Sequence, residues 1–137
     1  MAEPYKKPIP VPDLDTKGFW DGCKAHELRA QRCSCGVLRW PPQGICPICY
    51  SWDYAWVKLP ETGTVVSLVV VHHETTAFTD DLPYVVANIL IDGTDGKVRL
   101  LSNVVGVPVE DVTVGLPVRV FFDDVTDEIS LPKFRPI

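Results

Sequence analysis

Four of the five cysteines have the spacing of a metal site. Cys33 and Cys35 are separated by one residue and followed by Gly36, and the second pair is Cys46-Pro-Ile-Cys49. Two close cysteine pairs on neighbouring turns can place four thiolates at the corners of a tetrahedron, which is the geometry that zinc accepts. The sequence therefore predicts a zinc ion bound by Cys33, Cys35, Cys46 and Cys49.

The chemistry expected of this zinc is structural. Four thiolates close the coordination shell and leave no open position for water or substrate, whereas catalytic zinc usually has three protein ligands. A reduced thiol cluster, a redox pair and an iron–sulfur cluster are the alternatives for the same residues. The fifth thiol, Cys23, either replaces one ligand or is a spare thiol. The single residue between Cys33 and Cys35 fits the usual turn of a zinc site less well than two residues would.

Catalytic side chains are not evident in the sequence. The three histidines are His26, His72 and His73, and none is paired by spacing with a nucleophile. Cys23 has only Lys24 beside it to lower its pKa. The chain also has neither a glycine-rich phosphate loop nor a G-x-S-x-G motif. We therefore predict no catalytic residue in this chain and expect the histidines to be structural or exposed.

Size and composition indicate a small globular protein. The chain has 137 residues, which suits one ordinary domain, and 46% of them are hydrophobic, enough for a packed core. No stretch approaches the roughly 20 apolar residues of a membrane span, and the N-terminus does not look like a secretory signal. From these features we expect a cytoplasmic protein that does not enter a membrane, in which clustered cysteines bind metal and do not form disulfides.

Charge is distributed unevenly along the chain. Residues 1–60 contain eight Lys or Arg against six Asp or Glu, while residues 61–137 contain five against twelve. Proteins that bind nucleic acid through phosphates usually carry a basic stripe. The acidic second half argues against such a partner, although zinc ribbons and OB barrels both serve in nucleic-acid binding and that function is the main alternative.

The elements that must position the cysteines divide the chain into four segments. Residues 1–15 contain four prolines and are expected to form an extended arm. Residues 16–31 contain good helix formers and a possible cap, and they predict one or two short helices. Residues 32–60 form the predicted zinc ribbon, which includes an alternating strand over 52–59. Residues 61–137 form a β domain.

The β domain is predicted from apolar runs that are separated by turn signals. The five runs are 63–75, 84–92, 97–105, 117–125 and 128–135. Residues 106–116 leave room for a short helix between the third and fourth strands. This order suits a five-stranded OB-type barrel, with an incomplete sandwich as the alternative. A barrel is preferred because closure hides the edge strands of a small sheet.

An ordered set of short motifs resembles one known family. They are FWDG (19–22), HEL (26–28), QRCSCG (31–36), PP (41–42), CPIC (46–49), GTVVS (63–67), VGLPVRV (114–120) and LPKFRP (131–136). Together they resemble the acyl-CoA-associated zinc-ribbon plus OB-fold family, first described as a domain of unknown function. The resemblance extends from about residue 17 to residue 136 and implies N-terminal helices, a rubredoxin-like zinc ribbon and an OB barrel.

The same resemblance implies a partner and a setting. Members of this family are typically small partners of thiolase-superfamily enzymes or of acyl-CoA hydratases, and the large subunit carries the catalytic residues. We therefore expect a non-catalytic auxiliary subunit that binds a thiolase-superfamily enzyme in a two-plus-two assembly and helps to form an acyl-CoA site. Arg29, Arg39 and Lys58 are the candidates for contacts with CoA phosphates.

The aromatic residues also indicate a partner surface. Eight of the thirteen Phe, Trp and Tyr residues lie within residues 1–60, more than a small ribbon can bury by itself. We expect some of them to join the ribbon to the barrel and others to face another protein, because interface cores favour Trp and Tyr.

Overall fold

The computed structural model describes residues 5–73 and 81–137. Its first half contains one helix, α1, and a three-stranded sheet, and its second half contains a five-stranded barrel. Apart from the turn at residues 14–16, residues 5–16 have no regular structure. No helix in the described ranges is both long enough and apolar enough to cross a membrane.

Helix α1 spans Lys17–Lys24. It begins after a turn in which the Asp13 carboxylate accepts a hydrogen bond from the Thr16 backbone N–H at 2.9 Å, as Asp commonly does at such positions. A Cβ added at Gly18 would overlap the Trp56 ring, so the helix needs its glycine where it meets the ribbon. The helix is followed by His26, whose backbone is left-handed with φ 60°.

The prediction of helical structure through residue 31 is wrong for its last part. Strand β1 begins at Arg29 and ends at Cys33. The helix formers of this stretch are overruled by tertiary pairing, because β1 is the central strand of the ribbon sheet and buries Ala30 and Gln31 completely.

The ribbon sheet has the order β2-β1-β3, with both neighbours antiparallel to β1. Strand β2 is short, Leu38–Arg39, and strand β3 spans Tyr54–Lys58 inside the predicted range 52–59. The loop from residue 40 to residue 53 connects β2 to β3 and carries the second cysteine pair.

The barrel confirms the predicted OB fold. Its strands follow the order β4-β5-β6-β8-β7 and close between β4 and β7, with a parallel contact between β6 and β8. A short 3₁₀ helix, Val109–Asp111, lies between the third and fourth barrel strands as predicted. The strands are β4 (Thr62–Val71), β5 (Tyr84–Ile91), β6 (Arg99–Val104), β7 (Pro117–Asp124) and β8 (Ser130–Pro136).

Strand alternation fills the barrel interior. In β5 every second residue is buried, namely Val85, Ala87, Ile89 and Ile91, as expected for a sheet with one face on a core. The predicted first strand, 63–75, is too long, since β4 ends at Val71 and residues 74 and 75 lie outside the described ranges. His72 and His73 therefore follow the strand and are both exposed.

The helix, ribbon and barrel share one apolar core. The Trp40 Nε1–H donates to the Arg99 carbonyl in β6 at 2.9 Å, which ties the ribbon to the barrel. The His26 ring pairs with Asp124 through Nε2 and Oδ1 at 2.9 Å and stacks on Phe122 with ring centroids 5.3 Å apart. These contacts fix the position of the ribbon on the barrel.

Candidate metal centre

The four cysteines predicted as metal ligands come from three parts of the ribbon. Cys33 is the last residue of β1, Cys35 lies in the turn to β2, and Cys46 and Cys49 lie in the β2–β3 loop. Cys33 and Cys46 are buried, whereas Cys35 and Cys49 are exposed. With two buried and two exposed cysteines, the cluster lies at the surface of the molecule.

The sulfur positions suit a single tetrahedral ion. All four Sγ atoms lie within 4.8 Å of one another, with 3.4 Å between Cys33 and Cys49 and 3.9 Å between Cys35 and Cys46. Zinc–sulfur bonds of about 2.3 Å give a tetrahedron whose sulfurs are about 3.8 Å apart. The single residue between the first two cysteines therefore does not prevent the cluster from closing, and the geometry is consistent with a structural zinc site.

Both cysteine turns end in a left-handed residue. Gly36 follows Cys35 with φ 94°, and Tyr50 follows Cys49 with φ 59°. Glycine adopts this conformation without strain, whereas most other L-residues, tyrosine included, are disfavoured there by about 1–2 kcal/mol. The second turn therefore holds an aromatic residue where the backbone favours glycine.

Among the described residues, Arg39 is the largest fully buried side chain, with 1% of its surface exposed. Its Nη2 lies 3.3 Å from the Cys33 sulfur and donates to the Ser51 and Asp53 carbonyls, both at 3.0 Å. Its Nη1 donates to the Gly44 carbonyl at 3.1 Å. The guanidinium thus lies on the buried side of the sulfur cluster. Its hydrogen bonds connect the loop before Cys46 to the segment after Cys49.

The electrostatics favours thiolates at the buried sulfurs. A hydrogen bond from the Cys35 backbone and a second from Arg39 lower the pKa of Cys33 to about 5. A hydrogen bond from the Cys49 backbone lowers the pKa of Cys46. At Cys49, a backbone hydrogen bond from Ser51 favours the thiolate but the hydrogen bond to Cys33 opposes it, and the pKa is raised to about 12. These hydrogen bonds therefore favour the thiolate at Cys33 and at Cys46. Thiolates are the form that binds metal.

Cys23 is not part of the cluster. Its side chain is completely buried in the apolar core, and burial raises the pKa of its thiol to about 12. A neutral buried thiol behaves as a small apolar side chain. Of the two interpretations that the sequence allowed, the structure agrees with the spare thiol.

The other candidate residues are dispersed. The prediction that Arg39 contacts CoA phosphates is wrong, because its guanidinium is buried inside the ribbon. Arg29 pairs with Glu27 at 3.0 Å, and Lys58 is exposed. Among residues 5–73 and 81–137, the hydrogen bond found for a histidine side chain joins the His26 ring to the carboxylate of Asp124.

A group of exposed apolar side chains surrounds the second cysteine pair. We call Ile45, Ile48, Tyr50 and Trp52 the ribbon patch, and their exposed fractions are 42%, 65%, 76% and 68%. Scattered exposed apolar residues are ordinary, but four of them within eight residues of one loop, two with aromatic rings, are typical of a binding surface. The predicted functional residues do not include Tyr50. A comparison of the two cysteine pairs could have identified it, because Tyr50 follows Cys49 at the position where Gly36 follows Cys35.

A cavity of about 590 Å³ lies on the barrel, and its lining residues include none of the four cysteines. The N-terminal arm, residues 5–10, lies against β5 and β6 and forms one side of this cavity. Lys7 of the arm pairs with Asp81, which precedes β5. OB proteins commonly use the face formed by their second and third strands for ligands, and here the arm lies against that face.

A cysteine ribbon mounted on a closed OB barrel defines the ribbon–OB class of proteins. Within it, the profile of the family described as "ChsH2, C-terminal OB-fold domain" matches residues 56–123. A DUF35 domain-containing scaffold protein of Methanocaldococcus jannaschii is 32% identical over 114 residues, which cover 77% of this chain and 79% of that protein. The chain therefore belongs to the DUF35 family.

One solved structure agrees closely with this fold. A chain of the "Ltp2-ChsH2(DUF35) aldolase" superposes with a TM-score of 0.84 and 37% sequence identity, covering 93% of this chain and 98% of that chain. The fold thus matches a DUF35 chain along almost its whole length.

Two relatives carry names of acyl-CoA enzymes. A probable enoyl-CoA hydratase alpha subunit of Thermomonospora curvata is 38% identical over 132 residues, which cover 95% of this chain and 40% of the relative. The 3-oxo-4,17-pregnadiene-20-carboxyl-CoA hydratase alpha subunit of Mycobacterium tuberculosis is 39% identical over 118 residues, which cover 86% of this chain and 37% of the relative. The chain spans about two fifths of the length of these two proteins.

Proposed function

We propose that this chain is a non-catalytic auxiliary subunit of an acyl-CoA enzyme. It binds a thiolase-superfamily protein of the thiolase or retro-aldolase type, stabilises it and helps to form the acyl-CoA site. The observation that carries the proposal is the match to 98% of a DUF35 chain in the Ltp2-ChsH2 aldolase. The two hydratase alpha subunits support the acyl-CoA setting, and a two-plus-two assembly in the cytoplasm is part of the proposal.

The ribbon patch supports a protein partner. Two of its side chains, Tyr50 and Trp52, are among the residue types that most often dominate interface energies, and both are more than two-thirds exposed. Tyr50 also occupies a backbone conformation that favours glycine. Strain held at an exposed aromatic residue suggests a role outside the folded chain. We assign the ribbon patch as the surface that contacts the catalytic subunit.

We further propose that Cys33, Cys35, Cys46 and Cys49 hold a structural zinc ion. The sulfur separations, the low pKa of Cys33 and the nearby positive charge of Arg39 all fit a tetrathiolate centre. When bound, zinc supplies folding free energy to the ribbon. The residues around it hold the loops in place, and the ribbon patch is displayed on those same loops.

The metal proposal is tested with two cysteine variants. Cys46→Ser should lose the zinc, measured by elemental analysis of the purified protein, and should unfold the ribbon. Cys23→Ala removes the thiol that lies outside the cluster and should keep one zinc per chain. Equal zinc content in Cys46→Ser and the unmodified protein would refute the ligand assignment.

The partner proposal is tested by isolating the tagged chain from its native cell extract and identifying bound proteins by mass spectrometry. A thiolase-superfamily protein in equal amount is expected. Ile48→Asp, in the ribbon patch, should abolish its recovery. Val114→Asp is the matched control, because Val114 has the same exposure, 68% against 65%, but precedes β7 on the barrel. Equal recovery with both variants would exclude the ribbon patch.

The alternative, a nucleic-acid-binding module, rests on the fold class alone. The barrel half is acidic, and the arm lies against the face of β5 and β6 that an oligonucleotide would use. We expect no salt-sensitive submicromolar binding of a single-stranded oligonucleotide in a fluorescence anisotropy titration. Such binding would favour the nucleic-acid function.

A further inference from the structure

Arg39 is a buried cation without a carboxylate partner in the described part of the chain. None of the ion pairs found among residues 5–73 and 81–137 includes it, and its side chain is 1% exposed. A buried charge is unfavourable unless it is paired and hydrogen-bonded. The group that can carry a compensating negative charge is the Cys33 sulfur, which as a thiolate lies 3.3 Å from Nη2.

The remaining contacts of Arg39 provide dipoles and no net charge. Backbone carbonyls accept from both Nη atoms, and the Tyr54 ring faces the guanidinium at 5.0 Å from its centroid. Its Nε has no hydrogen-bond partner. Among the described residues, all the hydrogen bonds of the guanidinium are therefore made by its two Nη atoms, and one of these, Nη2, points at the Cys33 sulfur.

We propose that Arg39 is the built-in counter-cation of the metal centre. This inference rests on the structural zinc proposed above. A divalent ion with four thiolates has a net charge of −2, and the buried guanidinium reduces the net charge of the whole assembly to −1. Arg39 thereby stabilises the negative charge that metal binding places on the sulfurs, so it raises zinc affinity without being a ligand. It is a positioning residue of the centre.

A purely mechanical role makes a different prediction. If Arg39 only tied the two loops together through carbonyls, its charge would be irrelevant and its hydrogen-bonding fork would be essential. Arg39→Lys keeps the charge and loses the fork, whereas Arg39→Gln keeps a hydrogen-bonding head and loses the charge. Arg32→Gln is the matched control, since exposed Arg32 donates to the Gly36 carbonyl at 2.8 Å beside the same cluster.

Zinc affinity is measured by competition with a chelator of known affinity, using the full chain and its variants. Loss of a group that supports metal ligands from outside typically lowers metal affinity about 10- to 100-fold. We expect a loss of this size for Arg39→Gln, a much smaller one for Arg39→Lys, and unchanged affinity for Arg32→Gln. Equal losses in Arg39→Lys and Arg39→Gln would overturn the counter-cation role, and so would no loss in either. If the unmodified chain itself binds no zinc, the metal centre fails, and this inference fails with it.

A spectroscopic readout covers the case in which Arg39→Gln folds poorly. The variants are saturated with cobalt(II), which replaces zinc and gives a sulfur-to-metal charge-transfer band. Removing the positive charge raises the energy of the sulfur lone pairs, so the band should move to longer wavelength in Arg39→Gln. It should return toward its original position in Arg39→Lys. A band that does not move between the unmodified chain and Arg39→Gln would contradict the proposal.

Discussion

Replacing Tyr50 by glycine should change stability and partner binding in opposite directions. The Tyr50 backbone has φ 59°, and relief of the left-handed strain favours the folded state of the variant by about 1–2 kcal/mol. Glycine opposes this by about 0.5–1 kcal/mol, because it has more conformational freedom to lose on folding. Since the ring is 76% exposed, little packing is lost. The difference between these two terms is about 0–1.5 kcal/mol, so we expect Tyr50→Gly to stabilise the zinc-loaded ribbon by roughly 0.75 kcal/mol, the midpoint of that range.

The same substitution removes an aromatic side chain from the proposed docking surface. Interface hot spots of this residue type contribute about 2 kcal/mol or more, which corresponds to a loss of roughly 30-fold in affinity for the catalytic subunit. Thermal unfolding at saturating zinc, followed by near-ultraviolet circular dichroism, measures the first effect. Isothermal titration with the purified partner measures the second.

Tyr50→Ala separates the two effects. It removes the ring but keeps a Cβ in the left-handed conformation, so it should lose affinity for the partner without the gain in stability. If Tyr50→Gly binds the partner as tightly as the unmodified chain, the ribbon patch is not the docking surface. If it is less stable than Tyr50→Ala, the strain argument is wrong.

Three further predictions concern the core, the spare thiol and the joint. Gly63→Ala should destabilise the barrel by about 1–3 kcal/mol by overpacking, because an added Cβ would lie 2.6 Å from the Leu90 carbonyl oxygen. Chemical denaturation measures this change in the free energy of unfolding. Cys23 should resist alkylation by iodoacetamide at pH 8 in the folded chain, even after zinc removal, because burial raises its pKa to about 12; mass spectrometry of digested protein locates the label. Hydrogen bonds from Ser130 and then His26 lower the pKa of Asp124 below its ordinary value of 3.8. The stability that Asp124 contributes should therefore be present above about pH 4 and lost as the pH falls through its lowered pKa; thermal melts from pH 7 to pH 2 follow this loss.

Each of these predictions has a control. Thr64→Ala changes the neighbouring position of β4 and should have a smaller effect than Gly63→Ala. Full labelling of Cys23 in denaturant shows that the reagent can react with it, and rapid labelling of the folded chain would contradict its burial. Asp124→Asn should flatten the acid-dependent part of the melting curve, and an unchanged pH profile would refute its assignment to Asp124.

Much of the architecture could be predicted because its signals are local. Apolar runs separated by Gly, Pro and Asp turns placed all five barrel strands, and the long 106–116 connection contained the expected short helix. Cysteine spacing selected the four sulfurs that the fold brings within 4.8 Å. These signals are strong because a strand needs alternation along itself, and a metal site needs close pairs on tight turns.

The predictions failed where the structure of a residue depends on contacts with residues far away in the sequence. Residues 29–31 have helical propensity, but pairing with β3 makes them a strand. Arg39 reads as a surface cation in sequence, and only the folded loops show that it is enclosed behind Cys33. The strain at Tyr50 depends on the turn after Cys49, which the sequence indicates only by comparison with Gly36.

The native mass of the complex isolated through the tagged chain tests the central claim most directly. The chain alone has a mass of 15.3 kDa. The auxiliary-subunit proposal predicts an assembly with two copies of this chain, two copies of a thiolase-superfamily protein and one zinc ion per copy of this chain. Recovery of the 15.3 kDa chain by itself, from an extract that contains an active acyl-CoA enzyme of that superfamily, would contradict it.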